Sequence, residues 1–353
     1  MQEGIYFNLS ESEYHAAHAI STSGIKTLFI SGMEYWENYL NPEREKTTTP
    51  AMEFGKAAHK YFLENDKFFD EYAFEPSKSD FDMVLDTQKD MQEYCIANGI
   101  NFAPSHNKAK LAEAIRQSGS TATIWFEVLE AFEKKNEGKN ILDAKDAKKL
   151  IKMRDTFLMY DNLKTTFEAG YSEVSIFIKV HDITFKCRID YMKAGEDIDY
   201  KTFSNSKGKK LEKCIFEAIQ YEMYNVQYFL YSQIMKEVAN RLQKNTLPIH
   251  GNVTPDFIES LKNPEARQFS LLFQGSAAPH ECLKVNLVKA MHEGATTNEY
   301  HNSARHIYSE GFNLYKSKID AELDIYDKKT WISSCQELTL MDENVPNIIY
   351  QAY

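Results

Sequence analysis

Apolar positions recur at helical spacing through Gly24–Tyr39, where Ile25, Leu28, Phe29, Tyr35 and Trp36 share one side and Ser21 or Ser23 stands as the N-cap. The polar run from Asn41 to Pro50 ends that element. A second helical pattern follows over Ala51–Leu63, and its small residues, Gly55, Ala57 and Ala58, predict close approach to a neighbour. From about Asp80 to Thr165 the chain is charged and helix-favouring, with predicted helices over Met83–Ala97, Lys108–Gln117 and Asp143–Tyr160. The pattern then changes to strands at Tyr171–Lys179, Phe185–Asp190 and Ile198–Thr202, the last two joined by a turn containing Gly195. A lysine-rich loop, Ser206–Lys213, leads to a long predicted helix over Phe216–Leu242. Further strands are predicted at Gln268–Phe273 and Glu281–Val288, then a helix over Thr297–Leu323. There is no internal repeat and no low-complexity segment.

This order predicts an α/β (α+β) chain with a mixed sheet flanked by helices. It divides into N-terminal helices (1–65), a helical insertion (66–168), a strand-and-long-helix region (169–245) and C-terminal strands and helices (246–353), read together as one elaborated domain. Composition adds that 353 residues, 43% hydrophobic and 26% charged, suffice for a large core and exclude general disorder. No apolar run approaches the ~20 residues that cross a bilayer, and Met1-Gln2-Glu3-Gly4 lacks a signal-peptide pattern, so a soluble, cytoplasmic protein is expected. Cys95, Cys187, Cys214, Cys282 and Cys335 are scattered singly, which predicts reduced thiols and neither a zinc site nor an iron–sulfur cluster. The net charge of −11 argues against coating nucleic acid by bulk electrostatics, while leaving room for a local basic channel.

Candidate chemistry concentrates in the strands. Side chains alternate along a strand, so Asp199 and Lys201 project together, and Asp190 on the preceding strand can meet them. Two carboxylates and an ammonium on one face are the parts that hold a hard divalent cation and aim a water at a phosphodiester. Gln227 and Tyr231, four apart, share a face of the long helix, and His59 stands one turn beyond Gly55, where it can complete a metal shell. Glu173 is a further acidic candidate. Each has an ordinary reading alone: Asp-x-Lys as a solvated pair, His59 as a half-buried histidine, Gln227 and Tyr231 as packing residues, the lysines as a solvated loop. The 21 Tyr and 22 Phe read as core and interface rather than as a platform for stacking bases.

Order and spacing change the weighing. Gly55-x-x-x-His59, an acidic residue, Arg188-x-Asp190, Ile198-Asp199-x-Lys201 and Gln227-x-x-x-Tyr231 together resemble the RecB-like branch of the PD-(D/E)xK nucleases. With Ile20-Ser21-Thr22-Ser23-Gly24-Ile25-Lys26 and Glu53-Phe54-Gly55-Lys56-Ala57-Ala58-His59 added, the chain resembles the RecE-type exonucleases, also called exodeoxyribonuclease VIII, over residues 20–232. The resemblance implies a restriction-endonuclease-like core whose metal site lies where two central strands diverge. It also implies 5′-to-3′ degradation of one strand of linear duplex DNA, leaving 3′ single-stranded tails for an annealing partner, by a toroidal homo-oligomer of phage or prophage origin. On this footing His59, Asp190, Asp199 and the backbone carbonyl of Tyr200 ligate Mg²⁺ or Mn²⁺. Lys201 orients the attacking water and assists its deprotonation, and Glu173 helps hold a second metal or the water. Gln227 and Tyr231 contact scissile-strand phosphates or brace the lysine, and Arg188, Lys207, Lys209 and Lys210 contact phosphates. Two other readings remain. A RecB-like nuclease for single strands or flaps is disfavoured by the missing four-cysteine cluster, and a catalytically silent DNA-end-binding scaffold by the presence of Asp190, Asp199 and Lys201.

Overall fold

A computed structural model of the chain describes residues 1–45, 48–180, 182–205, 207–288 and 303–332. The N-terminal part carries β1 (Gly4–Tyr6), α1 (Glu11–Ala16), α2 (Thr22–Ile30), α3 (Gly32–Tyr35), a π-helical turn over Trp36–Leu40, and α4 (Pro50–Leu63). Ser21 is the N-cap of α2, its hydroxyl accepting from Gly24 N–H. The continuous helix expected over Gly24–Tyr39 is instead split at Ser31, which is extended (φ −163°) and caps α3 by accepting from Glu34 N–H. In α4, Thr49 caps and Pro50 opens the first turn.

The following stretch holds α5 (Asn65–Glu71), β2 (Tyr72–Phe74), β3 (Val84–Leu85), α6 (Gln88–Ala97), α7 (Lys108–Gln117), β4 (Thr123–Ile124), α8 (Trp125–Lys135), β5 (Asn140–Leu142) and α9 (Ala144–Leu158). It is less purely helical than expected: β2 pairs with β5 and β3 with β4, both in parallel, and the helix expected from Met83 begins at Gln88 after β3. Leu85, Met91, Cys95, Leu111, Ala112, Ile115 and Ile124 form a separate small core here.

The sheet is built on β6 (Gly170–Val180), β7 (Ile183–Lys193) and β8 (Glu196–Phe203), an antiparallel meander in which Gly195 takes the left-handed turn position (φ +81°). After it come α10 (Leu211–Tyr221), α11 (Tyr224–Gln243), β9 (Ile249–His250), α12 (Pro255–Ser260), β10 (Gln268–Gly275), β11 (Cys282–Leu287) and α13 (Ala304–Asp320). The helix expected over Phe216–Leu242 is two helices, broken where Met223 turns left-handed (φ +50°), and α10 starts early enough to take Lys213 out of the expected loop. Ser206 and residues 297–302 of the last expected helix lie outside the described residues, as does Cys335; the other four cysteines are free thiols. The seven strands run in the order β11-β10-β8-β7-β6-β1-β9, with β10 parallel to β8 and β9 parallel to β1.

These strands feed two cores, and β7 changes sides at Asp190, opposite the left-handed Glu173. Cys187, Ile189, Leu271 and Phe273 pack beneath α2, α11 and α13, while Tyr191, Ile198, Tyr200 and Leu272 pack beneath α4 and α9. The mixed sheet flanked by helices is a restriction-endonuclease-like core. Among the described residues no helix is long and apolar enough to cross a membrane.

Candidate metal centre and active site

The site forms where the β7–β8 ladder stops. The last pair is Tyr191 with Ile198, so Asp190 and Asp199 are the first residues beyond it. Asp190 Oδ2 accepts from Tyr200 N–H at 2.8 Å, so a side chain satisfies the amide that further strand pairing would have used. Because side chains alternate, Tyr200 enters the core beneath α4, stacking on Phe62 with ring centroids 4.9 Å apart, while Asp199 and Lys201 face the other way.

Helix α4 brings His59 to this point from the side of Tyr200. Its Nε2 lies 2.9 Å from the Tyr200 carbonyl oxygen and 3.4 Å from Asp190 Oδ2, and its Nδ1 lies 3.7 Å from Glu173 Oε1. Glu173 sits in β6 opposite Asp190 with φ +53°, a left-handed conformation that the ladder skips between its Ser172 and Val174 pairs. Such backbone strain in a glutamate inside a strand is tolerated where the surroundings hold it. Arg188 does the holding: its Nε lies 2.8 Å from Glu173 Oε2, a terminal nitrogen donates to the Leu9 carbonyl, and its guanidinium lies over the Tyr14 ring. His59, Glu173 and Asp190 each offer a ligand atom within 4.8 Å of the others. The set of two carboxylates, one imidazole and a nearby carbonyl fits a hard divalent cation.

Asp199 is buried and held from both sides. Gln227 Nε2 donates to its Oδ1 at 2.6 Å, and Lys201 Nζ, 2.5 Å from its Oδ2, is paired with it. Burial works against charge on Lys201, yet Asp199 and Asp190 outweigh it and hold the ammonium above its ordinary range. Burial and the charge of Asp199 lift Asp190 to about 7, against His59 and Lys201. Burial lowers His59, but Asp190 and Glu173 raise it to about 9.

Several expected phosphate contacts are engaged elsewhere. Arg188 is committed to Glu173, Leu9 and Tyr14; Gln227 to Asp199; and the Tyr231 hydroxyl, buried, donates to the Arg188 carbonyl at 2.9 Å. The Gln-x-x-x-Tyr face of α11 thus braces β7 and β8 from beneath. Lys209 is paired with Glu217, while Lys207 and Lys210 are exposed. Gly55 is not a close-approach position, since a Cβ there meets nothing within 4 Å; Ala57 and Ala58 do that packing. One residue the pattern left without a role is Lys26. Its Nζ donates to the Glu222 carbonyl at 2.5 Å and shares the Tyr224 ring with Lys201, at 5.3 and 4.9 Å from the centroid. Its place in the N-terminal motif was the available signal, but nothing local ties it to residues some two hundred positions on.

Residues 21–249 match the family described as a PDDEXK-like domain of unknown function (DUF3799). The chain belongs to that family. A PDDEXK-like nuclease domain is the coarsest description that accounts for both the sheet and the Asp-x-Lys pair at its parting strands. No curated protein matches the chain. A solved structure from Eubacterium rectale, provisionally described as an exonuclease, aligns with a TM-score of 0.45 and 11% identity over 97% of this PDDEXK-like chain and 98% of its own.

Proposed function

We propose that the chain is a metal-dependent exodeoxyribonuclease of the RecE type, acting 5′ to 3′ on ends of linear duplex DNA in the cytoplasm and leaving 3′ tails for an annealing partner. The observation that carries this reading is the convergence of His59, Glu173 and Asp190 on one side of the parted strands with the Asp199–Lys201 pair on the other. The metal is Mg²⁺ or Mn²⁺, and an imidazole ligand tilts the choice toward Mn²⁺. Bound there, it lowers the pKa of a water and takes up charge developing on the phosphate. Lys201, held charged by two carboxylates, donates hydrogen bonds to the attacking water and to the phosphate oxygens. Asp199 fixes the lysine, and Gln227 fixes Asp199. A ring of several copies, with DNA enclosed by a basic inner wall, reconciles a net charge of −11 with a polyanionic substrate.

The test is digestion, under Mg²⁺ or Mn²⁺, of linear duplex labelled at the 5′ or 3′ end of one strand, with closed circular DNA and Lys201→Ala alongside. Release of 5′ label from linear DNA only, lost in the variant, supports the reading. Cutting of closed circles makes it an endonuclease, preference for single strands a RecB-like trimming enzyme, and no digestion a DNA-end-binding scaffold.

A further inference from the structure

Helix α10 carries two large aromatic side chains that the core does not cover: Phe216, 61% exposed, and Tyr221, 83% exposed. They are five residues apart and so stand about 140° apart around the helix, in different surroundings. Phe216 shares its side of the helix with Lys213 and Gln220, both exposed. Tyr221 lies on the side of Cys214 and Glu217, where the loop after β8 folds back: Lys209 pairs with Glu217 and is within electrostatic reach of Tyr221, and Glu217 in turn feels Lys207 and Lys213.

Tyr221 also borders the catalytic lysine's surroundings. The chain turns at Met223 immediately after it, Glu222 presents its carbonyl to Lys26, and Tyr224 places its ring beside both Lys26 and Lys201. Tyr221 thus stands three residues along the chain from the ring that Lys26 and Lys201 share, with Lys209 within electrostatic reach of its phenol. Of the lysines on this side, Lys26, Lys201 and Lys209 are held by the Glu222 carbonyl, Asp199 and Glu217, while Lys207 and Lys210 are exposed; in a chain of net charge −11 those two fit a polyanion, and an uncovered aromatic face fits the base that such a polymer carries.

We propose that Tyr221 is a stacking residue for an unpaired base of the nucleic-acid strand whose phosphates pass Lys201 and the 207–210 loop. This rests on the nuclease reading and adds to it a base contact independent of sequence. An exposed tyrosine that stacks loses nothing when its hydroxyl is removed and everything when its ring is.

The experiment measures anisotropy of a labelled short oligodeoxythymidylate in EDTA, and of the same backbone built of abasic residues. Proteins compared are the full wild-type chain, Tyr221→Ala, Tyr221→Phe and Phe216→Ala. Tyr221→Ala should weaken binding of the base-bearing strand about tenfold, the size of one lost base–aromatic stack. Tyr221→Phe and Phe216→Ala should bind as wild type does, and on the abasic strand wild type should fall to the level of Tyr221→Ala. Equal losses for Tyr221→Ala on both strands, a loss in Tyr221→Phe matching that in Tyr221→Ala, or an equal effect at Phe216 would each overturn the stacking assignment. Binding in EDTA is separate from cleavage. A protein that digests DNA but ignores the missing bases sinks this proposal alone, and one that binds bases through Tyr221 without digesting DNA sinks only the nuclease reading.

Discussion

Arg188 is surrounded by partners that leave it little freedom to meet a phosphate. Glu173, the Leu9 carbonyl and the Tyr14 ring enclose its guanidinium, and the side chain it grips is the strained glutamate of the His59, Glu173 and Asp190 cluster. Residues that orient metal ligands change metal affinity by about 10–100-fold when replaced. Arg188→Lys, which loses the planar fork, should therefore raise the metal concentration needed for half-maximal cleavage about tenfold and lower kcat, with the KM for DNA unchanged. A metal titration of initial rates checks this. A rise in KM with a flatter salt dependence and an unmoved metal requirement would instead return Arg188 to phosphate binding. Lys26 supports a prediction of another kind. Burial and the neighbouring Lys201 lower its pKa to about 8, against Asp199 and Glu222. Between pH 8 and the unfolded value of 10.5 the unfolded chain binds more protons at this position, so wild-type stability rises with pH there. Lys26→Met lacks that rise. Denaturant unfolding at several pH values should find the variant relatively most stable below pH 8, with the difference moving toward wild type as pH climbs to 10.5. A pH-independent difference would mean that Lys26 titrates normally. The Asp199–Lys201 pair was legible because strand alternation acts over two residues, whereas the bracing by Arg188 and Lys26 depends on Leu9 and Glu222, which only the fold brings near.

Helix α4 is well specified by Thr49 as N-cap, Pro50 in the first turn and a buried face of Phe54, Ala57, Ala58, Tyr61 and Phe62. Gly55 within it contradicts that specification. A helix-interior glycine costs about 1 kcal/mol relative to alanine, yet an added Cβ meets nothing within 4 Å. Among the described residues nothing asks for glycine there, and the open space lies one turn before His59 on the same helix face. Gly55→Ala should raise stability by about 1 kcal/mol and the melting temperature by about 2 °C, while raising the KM for DNA. Calorimetry with steady-state kinetics on the same preparation decides it: a more stable enzyme with unchanged KM would show that the substrate does not use that space. The same element-level signals explain what could be read in advance. Helices α4, α7 and α9 have caps at their starts and a regular apolar face, and their bounds follow from these. The break at Met223 carries neither glycine nor proline, so apolar periodicity runs straight through it, whereas Ser31-Gly32 is a turn signal that the apolar pattern on either side outweighs. Strands β1 to β5 and β9 are two or three residues long, too short for a period-two pattern to register.

Across the whole molecule, the helical stretch between α4 and β6 has two relations to the rest. Helix α9 contributes Leu150, Met153 and Phe157 to the core that also holds Tyr200, so it supports directly the strand that carries Asp199 and Lys201. The excursion between β3 and β4 does not: its buried residues form their own cluster, and α6 and α7 pack on each other. Both are charged and helix-favouring, so in sequence they run together as one insertion, and only the identity of the packing partners separates them. A unit with its own small core and few ties to the main sheet opens and refolds with a free energy of its own. Replacing residues 86–122 with a short Gly-Ser linker between the paired strands Val84–Leu85 and Thr123–Ile124 should leave the remaining chain cooperatively folded, with kcat on a short oligonucleotide unchanged. In the intact protein, hydrogen exchange should be faster for the amides of α6 and α7 than for those of β7 and β8, because the former open without disturbing the sheet. Loss of cooperative unfolding in the linker variant, or matched exchange in both regions, would place the excursion inside the main folding unit. If the variant folds and cleaves short oligonucleotides but fails on long linear duplex, the excursion acts on the substrate away from the catalytic centre, in contact with DNA beyond the scissile bond or with a neighbouring copy of the chain. Sedimentation of wild type and variant separates those two: a change in assembly size assigns it to the copy, and an unchanged size with weaker duplex binding assigns it to DNA.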